Sequence, residues 1–433
     1  MKYLGNKNVS TDDSYLPGNL QVIIPVGGRA TRLLPLTAET SKACLRLLNR
    51  PLVEFSLLSL ASQGVRNIIF GVKGYTNYCN LYDYFESGYG FSARYNIKPR
   101  LHIRYQPNVD DLGSADSANI NMKYYNLKKP VFAVQGDNVF DVNLKSLMNF
   151  HKEKEAALTI VLREVDNVEG LGVADIDEKG KIKRFVEKPL SKDAPSNLAN
   201  TGLYVISPEV RKIFKEKGVQ QIVKAKNRLD FGYDFIPYVI QAGYPVYGYK
   251  LESSWFDVGT PKNYLEAMKH LLHNNVSISS DFGERLQIGL NSFVWVQGKS
   301  SDSKNVRRQI VQKIQQKKIR VNGAVLIGRH CQIEDGAVLS DCCIDNFTCI
   351  GKNAVVSNTA VMDRAIIGDY AEIKNSIIGR HVKICSTQNN PTKISDTTVI
   401  ADDVTVEEGC ILSAAKIYPH QKIKGEIVNQ MIK

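Results

Sequence analysis

The 433-residue sequence lacks several features that would assign it to a common class. No uninterrupted apolar run approaches the roughly 20 residues that a membrane span requires. Residues 1–19 are polar and include Asp12 and Asp13, unlike a signal peptide. The P-loop spacing G-x-x-x-x-G-K-[ST] and the dinucleotide spacing G-x-G-x-x-G are both absent, which excludes the two commonest nucleotide loops. We therefore expect a cytoplasmic protein without either loop.

The cysteines show no pattern that would bind a metal or form a redox pair. The chain has 8 of them, with no C-x-x-C pair and no His/Cys cluster at metal-ligand spacing. Six lie in the C-terminal quarter: Cys331, Cys342, Cys343, Cys349, Cys385 and Cys410. Because reduced cysteine packs well in protein cores, we expect free and mostly buried thiols.

Acidic residues are too few to balance the basic ones. There are 56 lysines and arginines against 44 acidic residues, a formal charge of +12, which favours an anionic partner such as nucleic acid. The densest basic stretch is Lys304–Arg320, where Val306, Ile310 and Ile314 recur every four residues. This spacing predicts a short amphipathic helix with a solvated basic face, so we expect no nucleic-acid partner and no membrane contact.

Apolar, β-branched segments alternate with helical patterns from about residue 20 to residue 270. This alternation predicts an α/β domain with a Rossmann-like, mostly parallel sheet flanked by helices. The clearest predicted strands are Leu20–Val26, Asn67–Val72, Leu101–Tyr105, Val131–Gln135, Leu158–Leu162 and Gly202–Ile206. Pro51–Gln63 is predicted to be a helix because a proline lies at its start and Gly64 follows its end.

Beyond residue 320, aliphatic residues return at intervals of six that sometimes drop to five. They are Ile327, Ile333, Leu339, Ile344, Ile350, Val356, Val361, Ile367, Ile373, Ile378 and Ile384. Glycine directly follows four of them: Ile327, Ile350, Ile367 and Ile378. This period fits neither a helix nor an alternating strand, and it predicts a β-helix with about three hexads per turn. The pattern is interrupted at Thr387–Lys393.

A glycine-containing, basic segment follows the first predicted strand. It reads Pro25-Val-Gly-Gly-Arg-Ala-Thr-Arg-Leu-Leu-Pro-Leu-Thr-Ala-Glu-Thr-Ser-Lys42. Paired glycines that leave a parallel strand let backbone N–H groups approach a phosphate chain, and Arg32 and Lys42 add positive charge. Taken alone, Gly27-Gly28 is a weak signal and is more typical of a structural turn.

Four later segments place polar side chains beside apolar, strand-like stretches. They are Gln135-Gly-Asp137-Asn138, Val186-Glu187-Lys188-Pro189, Asn200-Thr201-Gly202 and Trp255-Phe-Asp257-Val-Gly-Thr260-Pro. Each alone is typical of a loop, a surface ion pair or, for Asp257, the N-cap of the next helix. Together, in this order after the glycine segment, they resemble the sugar-1-phosphate nucleotidyltransferase (NDP-sugar pyrophosphorylase) family.

The resemblance covers roughly residues 20–270. The hexad region behind it is similar to that of longer members, such as mannose-1-phosphate guanylyltransferases and glucose-1-phosphate uridylyl- or thymidylyltransferases. We accordingly expect an N-terminal extension at 1–19, a catalytic domain at 20–275, a linker with the basic helix at 276–320 and a β-helix at 321–433. The resemblance, and not the spacing, implies that the β-helix is left-handed.

The family's reaction transfers a nucleoside monophosphate from an NTP to a hexose 1-phosphate and releases pyrophosphate. A phosphate monoester has its second pKa near ~6, so the nucleophile is already ionised at neutral pH and needs no general base. Mg²⁺ prefers hard oxygen ligands, and Asp137 and Asp257 are the predicted metal ligands.

The resemblance also implies a role for each matching residue. Arg32, Lys42, Asp137, Asp257 and Lys188 would be catalytic, Gly27, Gly28, Thr31, Gln106 and Gly113 would bind the nucleotide, and Gly172, Glu187, Lys188 and Asn200 would bind the sugar phosphate. Purine and pyrimidine users share these motifs, so the motifs do not identify the base or the sugar.

The sequence departs from the family pattern at three positions. Ala30 stands where glycine is usual, and Ser41 and Ala43 flank Lys42 in place of prolines. A side chain at position 30 is expected to require negative φ, which would change the path of the loop locally. Because the charged residues are retained, an active enzyme is favoured over a non-catalytic regulatory or scaffolding paralogue.

The β-helix allows two further hypotheses. One is an added acetyltransferase activity, for which His330 and His381 are candidates by residue type, although both occupy the position of a polar corner residue. The other is self-association, because the flat faces and unpaired ends of a β-helix favour symmetric packing. We expect a homo-oligomer and a structural role for both histidines.

Overall fold

The computed structural model describes residues 15–28, 30–107, 110–274 and 282–433. The chain divides into two compact units, the first comprising the described residues through Gly27 with Leu57–Trp255 and the second comprising Gly28–Ser56 with Phe256–Lys433. Residues 1–14 of the predicted extension and 276–281 of the predicted linker lie outside the described residues. Every helix in the described ranges is too short or too polar to cross a bilayer.

The helices have the lengths expected of an α/β protein. They are α1 (Leu52–Ser62), α2 (Tyr75–Phe85), α3 (Tyr89–Arg94), α4 (Ser114–Tyr124), α5 (Leu144–Glu153), α6 (Val210–Ile213), α7 (Lys217–Lys226), α8 (Ile236–Gln241), α9 (Pro261–His273) and α10 (Ser301–Gln315). The predicted helix Pro51–Gln63 forms as α1. The predicted basic amphipathic helix forms as α10, with Ile310 and Ile314 buried.

The strands before residue 260 include all six that the sequence predicts. They are β1 (Gln21–Val26), β2 (Arg46–Leu47), β3 (Arg50–Pro51), β4 (Asn67–Val72), β5 (His102–Pro107), β6 (Val131–Val134), β7 (Asn138–Phe140), β8 (Leu158–Glu164), β9 (Gly172–Ile176), β10 (Ile182–Glu187), β11 (Leu198–Ile206), β12 (Val246–Leu251) and β13 (Trp255–Asp257).

The first unit is built on a nine-stranded sheet. Its order is β10-β9-β11-β6-β1-β4-β5, and β8 pairs with both β11 and β12. Strands β6, β1, β4 and β5 are parallel, and Val22, Ile23 and Ile24 at the centre are fully buried. Strand β11 runs antiparallel to β6, so the sheet is parallel at one side and mixed at the other. In a parallel sheet, ligands bind beyond the carboxyl ends of the strands, which is where Gly27 and Asp137 lie.

The second unit contains the predicted left-handed parallel β-helix. Its strands are β14 (Arg285–Gly289), β15 (Ser292–Val296), β16 (Arg320–Ile327), β17 (Gln332–Ile333), β18 (Val338–Ile344), β19 (Cys349–Ile350), β20 (Val355–Ser357), β21 (Ala360–Val361), β22 (Ile366–Ile367), β23 (Glu372–Lys374), β24 (Ile377–Ile378), β25 (Lys383–Ile384), β26 (Lys393–Ser395), β27 (Val399–Ile400), β28 (Thr405–Val406), β29 (Ile411–Ser413), β30 (Lys416–Ile417), β31 (Lys422–Ile423), β32 (Glu426–Val428) and β33 (Met431–Ile432). None of the eleven hexad aliphatics is more than 2% exposed, which confirms that the period marks the inward positions.

Parallel pairing joins each hexad to the corresponding hexad one turn later. Ile333 pairs with Ile350, and Ile350 pairs with Ile367. The glycine after an aliphatic residue permits this close stacking, because a Cβ at Gly368 would lie 2.6 Å from the backbone nitrogen of Ser386 in the next turn. The eight cysteines are all free, and the six that lie in the β-helix are buried or half-buried.

Candidate active site

The glycine pair leaves β1 as predicted, and its two members have different surroundings. A Cβ at Gly27 would lie 2.8 Å from the Cβ of Lys73, whereas a Cβ at Gly28 would meet nothing within 4 Å. Lys73 therefore leaves no room for a side chain at position 27. At Gly28 the backbone is open to a ligand. Lys73 donates from Nζ to the carbonyl oxygen of Asp111 and lies 3.7 Å from its carboxylate, and the sequence analysis did not identify this contact.

Ala30 corrects one expectation from the sequence. Its backbone is left-handed, with φ 47° and ψ 41°, so the prediction of negative φ at this position is wrong. The carbonyl oxygen of Ala30 accepts hydrogen bonds from the Thr37 hydroxyl at 3.0 Å and from the Leu33 N–H at 3.0 Å. These two bonds stabilise the turn and keep Ala30 in the left-handed conformation, which glycine adopts more readily.

Replacing Ala30 by glycine should therefore stabilise the protein by about 0.5–1 kcal/mol, because glycine has no Cβ to strain in the left-handed region. The midpoint of urea unfolding measures the change. The matched control is Ala267→Gly in the interior of α9, where the same chemical change should destabilise by about 1 kcal/mol. A loss of stability in Ala30→Gly would contradict the assignment of strain to this residue.

In the second unit, the carboxylate of Asp257 lies between two predicted catalytic cations. Its Oδ2 is 3.8 Å from Arg32 Nη2, and its Oδ1 is 3.8 Å from Lys42 Nζ. The side chains of Lys42 and Asp257 are 14% and 18% exposed, whereas that of Arg32 is 56% exposed. Asp257 therefore offsets the mutual repulsion of Arg32 and Lys42, and this leaves two cations close together for a polyanion.

Asp257 is not the N-cap of α9. The cap is Thr260, whose hydroxyl oxygen accepts from the Asn263 N–H at 3.1 Å. Gly259 lies against the cluster, because a Cβ there would be 2.9 Å from both Arg32 Nη2 and Asp257 Oδ2. The alternative of a capping role for Asp257 is thereby excluded, and its carboxylate remains a candidate ligand.

In the first unit, Asp137 lies in the tight turn between β6 and β7. Asn138 donates to the Thr201 carbonyl oxygen at 2.8 Å, and the indole N–H of Trp255 donates to the same oxygen at 3.1 Å. Asn138 and Trp255 thus bond to one carbonyl group within the first unit.

The sugar-binding residues predicted from the sequence converge in the first unit. A Cβ on Gly172 would lie 2.5 Å from Glu187 Oε2 and 3.5 Å from Asn200 Cβ, so these three residues lie close together. The Asn200 amide donates to the Tyr204 hydroxyl at 2.9 Å. Burial raises the pKa of Tyr204, and the charges of Asp230, Glu187 and Asp137 raise it further. The phenol of Tyr204 therefore stays protonated at neutral pH while it accepts from Asn200.

Glu187 is half-buried, so its contact with Lys188 is not an ion pair on the open surface. Its carboxylate is 15% exposed and lies 3.9 Å from Lys188 Nζ. Burial raises the pKa of Glu187 to about 7, the Lys188 charge opposes the rise and Asp230 adds to it. Lys188 has φ 51° and extends over the Tyr233 ring, with Nζ 5.2 Å from the ring centroid. An ammonium group in this position suits a sugar phosphate.

Gln106 and Gly113, the residues predicted to bind the base, lie on different elements of the first unit. Gln106 lies near the end of β5 and donates to the Pro107 carbonyl oxygen at 3.3 Å. Gly113 precedes α4 with φ 141°, and a Cβ there would lie 2.9 Å from the Leu229 carbonyl oxygen. Residues 108 and 109 between them lie outside the described residues. The role of both in base recognition stays a prediction.

A segment that the quoted motifs did not indicate lies against Glu187. Asp230 accepts from the Ser114 hydroxyl at 2.8 Å and from the Gly232 N–H at 3.0 Å. A Cβ on Gly232 would lie 2.1 Å from Glu187 Oε2, so the glycine is needed for the carboxylate to fit. The run Asp230-Phe-Gly-Tyr-Asp234, with its glycine between two acids, was the available signal.

The two predicted metal ligands, Asp137 and Asp257, offer carboxylate oxygens, and their role as ligands stays a prediction. Among the described residues no group of three His, Cys, Asp or Glu side chains forms a metal cage. Mg²⁺ is usually held by one or two carboxylates, with waters and substrate phosphates completing its octahedron. The Asp257 carboxylate, which lies beside two cations that suit phosphates, is a donor of the kind that this ion prefers.

Comparison with known proteins identifies the class. Residues 21–274 match the nucleotidyl transferase family model, and residues 321–433 match the model of the GMPPB C-terminal domain. The chain belongs to the nucleotidyl transferase family.

Its relatives extend over nearly the whole chain. A mannose-1-phosphate guanyltransferase from Pichia angusta is 25% identical over 95% of this chain and 99% of its own. One from Emericella nidulans is 27% identical over 94% and 98%, and a UTP–glucose-1-phosphate uridylyltransferase from Synechocystis is 25% identical over 84% and 88%. A solved structure, a putative glucose-1-phosphate thymidylyltransferase from Bacillus anthracis, shares the fold with a TM-score of 0.51 at 22% identity, covering 60% of this chain and 97% of its own.

Proposed function

We propose that this protein transfers a nucleoside monophosphate from an NTP to a hexose 1-phosphate, forming an NDP-sugar and pyrophosphate. The observation that carries the proposal is the Asp257 carboxylate held between Arg32 and Lys42, 3.8 Å from each cation. A family member that had lost catalysis would have no need to keep a carboxylate there. The binding of two polyanions requires positive charge at both substrates, and Lys188 supplies it on the sugar side.

In this reaction the protein positions reactants and stabilises charge. The sugar phosphate attacks the α-phosphorus in line without a general base, since it is already ionised. Arg32 and Lys42 bind the triphosphate and neutralise the charge that develops on departing pyrophosphate. Lys188 binds the sugar phosphate, while Glu187, Asn200 and the backbone at Gly172 accept or donate hydrogen bonds to the sugar hydroxyls.

We assign Asp137 and Asp257 as the carboxylates that hold Mg²⁺. When bound, Mg²⁺ would neutralise phosphate oxygens as a Lewis acid. The bond of Asn138 to the Thr201 carbonyl oxygen supports the assignment of Asp137, because it fixes the residue next to this aspartate within the first unit. Gly27, Gly28 and Thr31 remain the proposed triphosphate backbone site, and Gln106 and Gly113 the proposed base site.

The alternative of an acetyltransferase in the β-helix has no support from its histidines. His330 stacks on Phe347 with ring centroids 5.0 Å apart, and His381 Nδ1 lies 3.2 Å from Asp403. Both residues have positive φ, near 57°, as corner residues of the coil do. A role in corner packing accounts for both side chains. Self-association through the β-helix remains part of the proposal, and light scattering tests it: a monomer would contradict it.

We propose GTP with mannose 1-phosphate as the first substrate pair, because the guanyltransferase relatives align over nearly the full chain. UTP with glucose 1-phosphate is the second. The test measures pyrophosphate release from ATP, CTP, GTP, UTP and dTTP with each sugar phosphate, in Mg²⁺ and in EDTA. We expect one pair to dominate and to require the metal. Binding of NTP or NDP-sugar without turnover of any pair would instead identify a regulatory paralogue.

A further inference from the structure

The segment that follows Lys42 is attached to the β-helix by a buried ion pair within the second unit. Arg46 Nε donates to Asp345 Oδ2, and Arg46 Nη2 donates to Asp345 Oδ1 at 2.9 Å, which makes the contact bidentate. The Asp345 side chain is 2% exposed and that of Arg46 is 19% exposed. A bidentate contact between a guanidinium and a carboxylate fixes the orientation of the two groups as well as their distance.

Further bonds hold the same segment against the same coil. Asn49 donates to the Gln297 side chain at 3.1 Å, and its own side-chain oxygen accepts from the thiol of Cys343 at 2.9 Å. The buried hydroxyl of Tyr264, on α9, donates to the Arg46 carbonyl oxygen at 2.5 Å. Arg46 thus has both its side chain and its backbone fixed, by two elements that lie more than 200 residues away in the sequence.

The ion pair continues into the next turns of the β-helix. Asp363 lies 3.7 Å from Arg46 Nε and accepts from Arg380 Nε at 2.9 Å. Burial raises the pKa of Asp345, and the Arg46 guanidinium opposes that rise. A buried charge pair is a poor source of stability, since apolar side chains of similar volume often serve as well. The Arg46–Asp345 pair therefore differs from an apolar pair mainly in that its two hydrogen bonds fix the orientation of the side chains.

Short-range bonds connect Arg46 to the site. The 3-10 turn Lys42–Cys44 is closed by the Leu45 N–H, which donates to the Lys42 carbonyl oxygen at 3.1 Å. Arg46 follows directly, at the start of β2. Lys42 is therefore separated from the clamped residue by one hydrogen-bonded turn, and a shift of Arg46 is transmitted to the ammonium group that faces Asp257.

We infer that Arg46 and Asp345 form a positioning pair through which the β-helix sets the place of Lys42 against Asp257, an inference that rests on the proposed function of Lys42. The β-helix is then part of the catalytic apparatus of each chain, besides any role in assembly. Neither residue is proposed to touch substrate.

The first test is Asp345→Asn, which keeps the volume and removes the charge. We expect kcat/KM for the NTP to fall about tenfold while KM for the sugar 1-phosphate stays within twofold, because the sugar pocket belongs to the first unit. The second variant is Arg46→Met with Asp345→Leu, an apolar pair of similar volume that should recover the thermal stability lost in Asp345→Asn. Its kcat/KM should stay at least about fivefold low. Full recovery of activity together with stability would overturn the inference, as would unchanged kinetics in Asp345→Asn.

A readout without turnover separates this inference from the proposed function. Lys42 is 14% exposed, and its rate of acetylation by an amine-reactive reagent, followed by mass spectrometry, reports how firmly it is held. The rate should rise severalfold in Asp345→Asn relative to Lys352 in the same chain. Glu372→Gln, which breaks the surface contact with Lys374 on another coil, is the matched control and should change neither rate nor kinetics. An unchanged Lys42 rate in Asp345→Asn would refute the inference even if the wild type had no activity, whereas absence of wild-type turnover with a raised rate would refute only the proposed reaction.

Discussion

Replacing Asp257 by asparagine should lower kcat by at least about 100-fold while leaving the protein folded. The change keeps the size of the side chain and removes a formal charge from a cluster in which Arg32 and Lys42 are each 3.8 Å away. Two cations would then face each other without a carboxylate between them, and a proposed metal ligand would be lost. The measurement is the initial rate of pyrophosphate release at saturating NTP over a range of Mg²⁺ concentrations.

The same change at position 137 provides a comparison across the two units. If both aspartates hold one ion, Asp137→Asn should lower kcat similarly, and the double variant should be little worse than either single variant, because residues that act as one unit are not additive. Asp302→Asn, in the exposed first turn of α10, is the control and should be neutral. A loss below tenfold for Asp257→Asn with unchanged Mg²⁺ dependence would contradict the assignment of this residue.

The β-helix was predictable because its signal is local. Each hexad contributes one inward aliphatic side chain, so residues such as Ile350 and Ile367 reveal the coil without knowledge of any distant contact. The same holds for β1 and β4, whose buried apolar runs show the parallel sheet directly. Site residues at the ends of these elements, Asp137 among them, could be placed by the same reasoning.

Contacts between distant parts of the chain could not be predicted in this way. Arg46 and Asp345 are 299 residues apart, and nothing in either local sequence indicates the other. The grouping of Gly28–Ser56 with the C-terminal residues follows from such contacts and was not expected. Ala30 was misjudged for a related reason, since its backbone conformation is determined by the bonds from Leu33 and Thr37 that close the turn.

Replacing Glu187 by glutamine should change both stability and sugar binding, with opposite signs. The pKa of this carboxyl is raised from 4.5 to about 7, so the folded protein keeps a proton that the unfolded chain has lost between those two values. The contribution of Glu187 to the free energy of unfolding is fully present below about pH 4.5, and it is lost as the pH rises through about 7. At pH 8 the glutamine variant should therefore be more stable than the wild type, by up to about 3 kcal/mol, and at pH 4.5 the difference should vanish.

The activity of Glu187→Gln should be lower than that of the wild type. The ionised Glu187 carboxylate destabilises the protein without substrate, but it is the group proposed to accept hydrogen bonds from the sugar hydroxyls. A hydrogen bond to a charged group contributes about 1.5–3 kcal/mol, so kcat/KM for the sugar 1-phosphate should fall roughly 10- to 100-fold in Glu187→Gln. The wild-type value should increase between pH 6 and pH 8, and the ratio of wild type to variant should increase with it, which separates ionisation of Glu187 from that of the substrate phosphate. Glu178→Gln, in the exposed turn after β9, is the control for both measurements. A variant with lower stability than wild type at pH 8, or with an unchanged kcat/KM, would show that this carboxylate is structural and that sugar recognition lies elsewhere.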